Sequence, residues 1–137
     1  MRQLFKVFRF FAYFALIAGS LFAHHGTGIS YNLDAPVVTV KGTITEFAWR
    51  NPHVSIFIDV KDEKGNIVNW GLEHSPMTAL APQGYNRNTL KPGQEVTAVF
   101  HPSRSGANVG LTVKIILPDG KEILQRNQAG APRREER

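Results

Sequence analysis

Between residues 37 and 49 apolar and polar positions alternate. Val38, Val40 and Ile44 share one parity, and Thr39, Lys41, Thr43 and Thr45 share the other. This period of two predicts a long half-buried strand. Gly42 breaks the row where a sheet must coil tightly. Further on the apolar parity moves to Phe47 and Trp49, the shift that a bulge produces. Arg50-Asn51-Pro52 interrupts the pattern, and residues 53–60 resume it with Val54, Ile56, Ile58 and Val60 on one face. Asp62-Glu63-Lys64-Gly65-Asn66 reads as a hairpin connection into a third strand, residues 67–74, where Val68, Trp70 and Leu72 alternate with Asn69, Gly71 and Glu73.

The period then changes. Ser75 as N-cap, Pro76 at the first helical position and the helix formers through Ala81 predict one short helix, with Gly84 as its stop. Residues 95–101 form a fourth strand, a glycine-containing loop covers 103–110, and residues 111–117 form a fifth. Pro118-Asp119-Gly120 turns into a short final segment, 121–124. Three strands, a helix and two strands predict a small all-β fold. Its compact solution is an OB-fold-like five-stranded barrel, with the helix between strands 3 and 4 acting as a plug; a small open sandwich is the alternative.

The first 23 residues break from this pattern. A basic start with Arg2, Lys6 and Arg9, an apolar run from Phe10 to Ala18 and small or apolar residues up to Ala23 predict a secretory signal peptide. The apolar run is shorter than the roughly 20 residues of a spanning helix, although an uncleaved anchor is the competing reading. The expected organisation is therefore a signal peptide over 1–23, a histidine-containing leader over 24–36, a barrel over 37–124 and a disordered tail over 125–137. Localisation in the periplasm of a Gram-negative bacterium follows, with no stable membrane span after cleavage.

Charge and composition narrow the chemistry. Three of the 16 basic residues and none of the 11 acidic ones lie in the signal segment, so cleavage lowers the formal charge from +5 to +2. A nearly neutral body argues against nucleic acid as a partner. The chain has no cysteine, which excludes disulfides, thiolate metal sites and a cysteine nucleophile. A serine-hydrolase elbow, a phosphate-binding glycine loop, H-E-x-x-H and paired-cysteine zinc motifs are all lacking.

Histidine is what remains. Cleavage after Ala23 would make His24 the amino terminus, so its α-amine and Nδ1 would chelate one ion together, with His25 adding a second imidazole. A tetragonal nitrogen set suits Cu(II) over zinc, and loss of the amine proton would make binding weaken in mild acid. The competing reading is a flexible dipeptide without fixed partners. His53 follows Asn51-Pro52 and shares the parity of Ser55, Phe57 and Asp59, away from the apolar row, as a ligand or as a surface residue. His74 falls on the parity of Trp70 and Leu72 at the barrel mouth, and His101 ends the fourth strand with a surface expectation. Arg104 to Asn108 could hold an anion or form a plain hairpin loop. Trp49, Trp70, Phe47 and Tyr85 could stack a ligand or fill the core.

The leader Ala23-His24-His25, Pro36, Gly42, Trp49-Arg50-Asn51-Pro52-His53, Asp59-Val60-Lys61-Asp62 with Gly65, Val68-Asn69-Trp70 with Glu73, Leu90-Lys91-Pro92-Gly93 and Pro118-Asp119-Gly120-Lys121 together resemble the DUF6152 family, exported bacterial proteins of uncharacterised function. The resemblance implies a small β-rich exported domain in which His24, His25 and His53 belong to one feature. Family members usually continue the histidine pair with serine and an aromatic, acidic stretch, where this chain has Gly26-Thr27-Gly28.

Two functions are compatible with these residues. One is a non-catalytic periplasmic metal module, copper favoured, held by His24, His25 and His53. The other is a metal-free OB-like module for a periplasmic protein, peptide or small ligand, using Glu73, His74, Phe57 and Asn69 on or beside strands 2 and 3. Zinc-dependent hydrolysis using Glu73 is a third and remoter possibility.

Overall fold

The computed structural model describes residues 27–125. The expected signal peptide, His24, His25 and all of the tail beyond Gln125 lie outside them. The elements are helix α1 (Thr27–Ser30), strands β1 (Val38–Ala48), β2 (Ser55–Lys61) and β3 (Ile67–Glu73), helix α2 (Met77–Leu80), a 3-10 turn (Ala81–Gln83), and strands β4 (Glu95–Pro102), β5 (Val109–Ile116) and β6 (Glu122–Leu124). Among the described residues no helix is long and apolar enough to cross a membrane.

β1 belongs to both halves of the sheet. Its first half, Val38 to Thr43, pairs antiparallel with β4, and Thr43 to Ala48 pairs with β2. The change of partner bends β1 sharply, and Gly42 lies at the bend. A Cβ there would stand 2.7 Å from the Asp59 carbonyl oxygen, so only glycine lets the strands approach this closely. The expected bulge is present, because the β1–β2 register slips between Ile44 and Glu46. That slip puts Phe47 rather than Glu46 on the core side.

β2 and β3 form the predicted hairpin, in register from Ser55 opposite Glu73 to Lys61 opposite Ile67. β4 pairs with β5, and β5 returns to β3 in a parallel junction, Gly71 to Glu73 against Val109 to Leu111. This junction closes β1-β2-β3-β5-β4 into a five-stranded barrel, and β6 extends β5 beyond it. The core holds Ile44, Ile56, Ile58, Leu72, Leu90, Val96, Ala98, Phe100, Ile115 and Ile123. Each fully buried large aliphatic or aromatic side chain contributes on the order of 1.5–3 kcal/mol. Phe47, Trp70 and Tyr85 pack against this cluster, and the Trp70 and Phe100 rings lie 4.9 Å apart. Phe47, Trp70 and Tyr85 are partly buried, with one side of each against the core.

The helix between β3 and β4 is a single turn, and its cap differs from the sequence expectation. Pro76, not Ser75, occupies the N-cap, in an extended conformation with no side-chain cap. The cause is continued pairing past β3: the His74 N–H donates to the Val54 carbonyl, and the Val54 N–H to that of Ser75. Ser75 is thereby held extended and buried, and the helix starts later. Gly84 ends the 3-10 turn at φ 87°, as its position predicted. Leu80 and Leu90 bury the helix and the segment after it.

Candidate functional site

Neighbours across paired strands share a face, which allows the outer surface of the closure to be followed from strand to strand. Ser55, Glu73, Leu111 and His101 lie opposite one another on β2, β3, β5 and β4. A Cβ on Gly110 would run into the Phe100 ring inside the barrel, so the next residue, Leu111, projects outward. Leu111 is nevertheless only 1% exposed. The leader folds back across this face, from Ser103 at the end of β4 to Glu73 on β3.

Several bonds hold the leader there. Tyr31 forms an isolated antiparallel bridge with Ser103, and the Asn32 N–H donates to the Pro102 carbonyl. The Arg104 N–H donates to the Ser30 carbonyl. The Arg104 side chain donates through Nε to the Gly28 carbonyl at 2.9 Å and meets the Asp34 carboxylate at 3.5 Å. The arginine of the loop therefore clamps the leader, which accounts for it without a bound anion. Tyr31 itself is buried. From its backbone beside Ser103 the ring reaches past β5, and its hydroxyl donates to Glu73 Oε2 at 2.9 Å.

The other oxygen of the same carboxylate, Glu73 Oε1, stands 3.0 Å from Nδ1 of His53. His53 lies just ahead of β2, after a cis Asn51–Pro52 peptide. It faces outward as its parity predicted, with its side chain 45% exposed. Glu73 thus joins the leader to the Asn-Pro-His turn. Burial raises the Tyr31 phenol well above its usual range, and the hydrogen bond and negative charge of Glu73 raise it further. The hydroxyl therefore stays protonated and remains a donor to Glu73 at any ordinary pH.

The remaining expected site residues fall apart from this constellation. His74 is 2% exposed, its Nδ1 accepts the Ser75 N–H at 2.7 Å, and its Nε2 has no hydrogen-bond partner among the described residues. Burial lowers its pKa to about 4, opposed only in part by the Ile123 backbone. Phe57 lies over Gly71, whose Cβ, if present, would meet the ring at 3.2 Å. Asn69 donates to Asp59 at 2.7 Å and to Thr45 at 3.2 Å. His101, expected at the surface, is partly covered, and its buried Nδ1 is unpartnered among the described residues. No group of three or more His, Cys, Asp or Glu side chains among the described residues is arranged to hold a metal ion.

Tyr31 and the clamping role of Arg104 escaped the sequence reading. The available signal was a lone tyrosine in a polar, turn-rich lead, which is an unusual place for a large aromatic side chain unless something covers it.

A family model described as a family of unknown function, DUF6152, matches residues 13–113. No curated protein and no solved structure matches the chain. The match spans most of the sequence, and the chain belongs to that family.

Proposed function

We propose that this DUF6152 protein is an exported, periplasmic, non-catalytic module that binds a metal ion, copper in preference to zinc, through His24, His25 and His53. One observation carries the reading: the leader is docked on the carboxylate that contacts His53. Tyr31 is seven positions after His24. Four of the intervening residues, Thr27–Ser30, are helical. At about 1.5 Å per helical and 3.3 Å per extended residue, the leader reaches roughly 16 Å from Tyr31. That span is the upper bound on the reach of the histidine pair from Tyr31, and Tyr31 already shares the Glu73 carboxylate with His53. An α-amine, the imidazoles of the pair and His53 would then supply the nitrogen set that Cu(II) prefers.

The alternative, a ligand laid over β2 and β3, has less support. Phe57, Asn69 and Glu73 already contact Gly71, Asp59 and Thr45, and Tyr31 with His53, respectively. These side chains are engaged with neighbours, and His74 is buried away from any ligand on that face.

The test is a Cu(II) and Zn(II) titration of protein beginning at His24, repeated with one residue added ahead of it and with His53→Ala. The expected result is copper binding that falls at least tenfold on extension and on loss of His53. Equal binding by the native and extended termini, or no binding by either, overturns the terminal chelate. Full affinity in His53→Ala removes the turn from the site.

A further inference from the structure

We infer that Glu73 and Tyr31 are positioning residues for His53: Glu73 fixes the ring with its proton on Nδ1, Tyr31 holds Glu73 in place, and Nε2 becomes the nitrogen offered to a ligand. The inference deepens the metal reading and rests on it for its affinity consequences, but the tautomer it assigns belongs to the metal-free protein. It also gives Glu73 a role behind the site rather than in the coordination sphere.

The argument is electrostatic. An ionised carboxylate oxygen 3.0 Å from Nδ1 repels a ring lone pair and attracts a ring proton. A neutral imidazole carries one proton, so placing it on Nδ1 leaves a lone pair on Nε2. No hydrogen bond engages Nε2 among the described residues, and the side chain is half exposed. Glu73 is not free to turn away, because its second oxygen accepts the buried Tyr31 hydroxyl. A histidine backed by a carboxylate, itself hydrogen-bonded, is the arrangement that orients metal-binding imidazoles and raises their basicity.

Tyr31 also ties this orientation to the leader. Its backbone pairs with Ser103 and its hydroxyl holds Glu73, so the ring of His53 is set only while the leader is docked. The segment carrying the histidine pair is thus the one that prepares its partner.

Glu73→Gln and Tyr31→Phe separate these effects. Glutamine can turn its amide toward Nδ1 and donate, favouring the opposite tautomer, whereas phenylalanine keeps the ring and loses only the hydroxyl. Ring-nitrogen NMR of metal-free protein is expected to show His53 mainly protonated on Nδ1 in the wild type, shifted toward Nε2 in Glu73→Gln, and mixed in Tyr31→Phe. Copper affinity is expected to drop about 10- to 100-fold in Glu73→Gln and less in Tyr31→Phe. A wild-type ring protonated mainly on Nε2, or a Glu73→Gln protein with the wild-type tautomer and affinity, overturns the inference. If the wild type binds no metal while its tautomer shifts as described, the metal reading fails and the positioning of His53 by Glu73 stands.

Discussion

The Phe100 ring leaves room for nothing larger than hydrogen at Gly110, because both sit in the packed wall of the barrel. Gly110→Ala should therefore force the ring or β5 to move, at a cost of about 1–3 kcal/mol, readable as a lower urea midpoint with an unchanged slope. His74 gives the residue scale its pH dependence. The folded protein holds this side chain neutral down to about pH 4, whereas the unfolded chain protonates it near 6.5. Between those values the unfolded state binds more protons, so stability falls as pH drops, by on the order of 3 kcal/mol. Urea melts of wild type and His74→Leu across pH 4 to 7 should differ in slope, with the variant losing this contribution; parallel profiles would exclude His74 as its source. Parity alone located His53 on the outer face. It could not reveal Glu73 as its partner, still less Tyr31, because those contacts join residues 20 and 42 positions apart in the chain.

At the scale of elements, regular alternation was a reliable guide because one face of every barrel strand is buried. Even the irregularity in β1 was legible, since a change of apolar parity without a turn leaves room only for a bulge. The helix start was misplaced for a definable reason. Ser-Pro followed by helix formers is a good local cap, but Ser75 is already claimed by pairing with Val54 across the barrel. Tertiary pairing prevailed over local propensity. The leader was illegible as an element because it has almost no periodicity: one turn of helix, one bridge and an arginine clamp make it up, and the bridge and the clamp depend on residues from the β4–β5 loop.

For the whole molecule, the barrel predicted from strand count and helix position is observed, closed by β3 and β5. That closure is short and parallel, Gly71 to Glu73 against Val109 to Leu111, whereas β1 and β4 pair continuously from Val38 to Thr43. The barrel should open first at this junction. In native-state hydrogen exchange, the Gly71 amide, which donates to the Asn108 carbonyl, should exchange faster than amides in the β1–β4 run; equal protection would mean that the barrel opens only as a unit. The leader crosses this same weak seam, with its backbone fastened on the β4 side and the Tyr31 hydroxyl fastened on the β3 side. A segment that looks like an appendage to the barrel is therefore its latch. A chain trimmed to begin at Val37 would lose the fastening that keeps its two closing strands together.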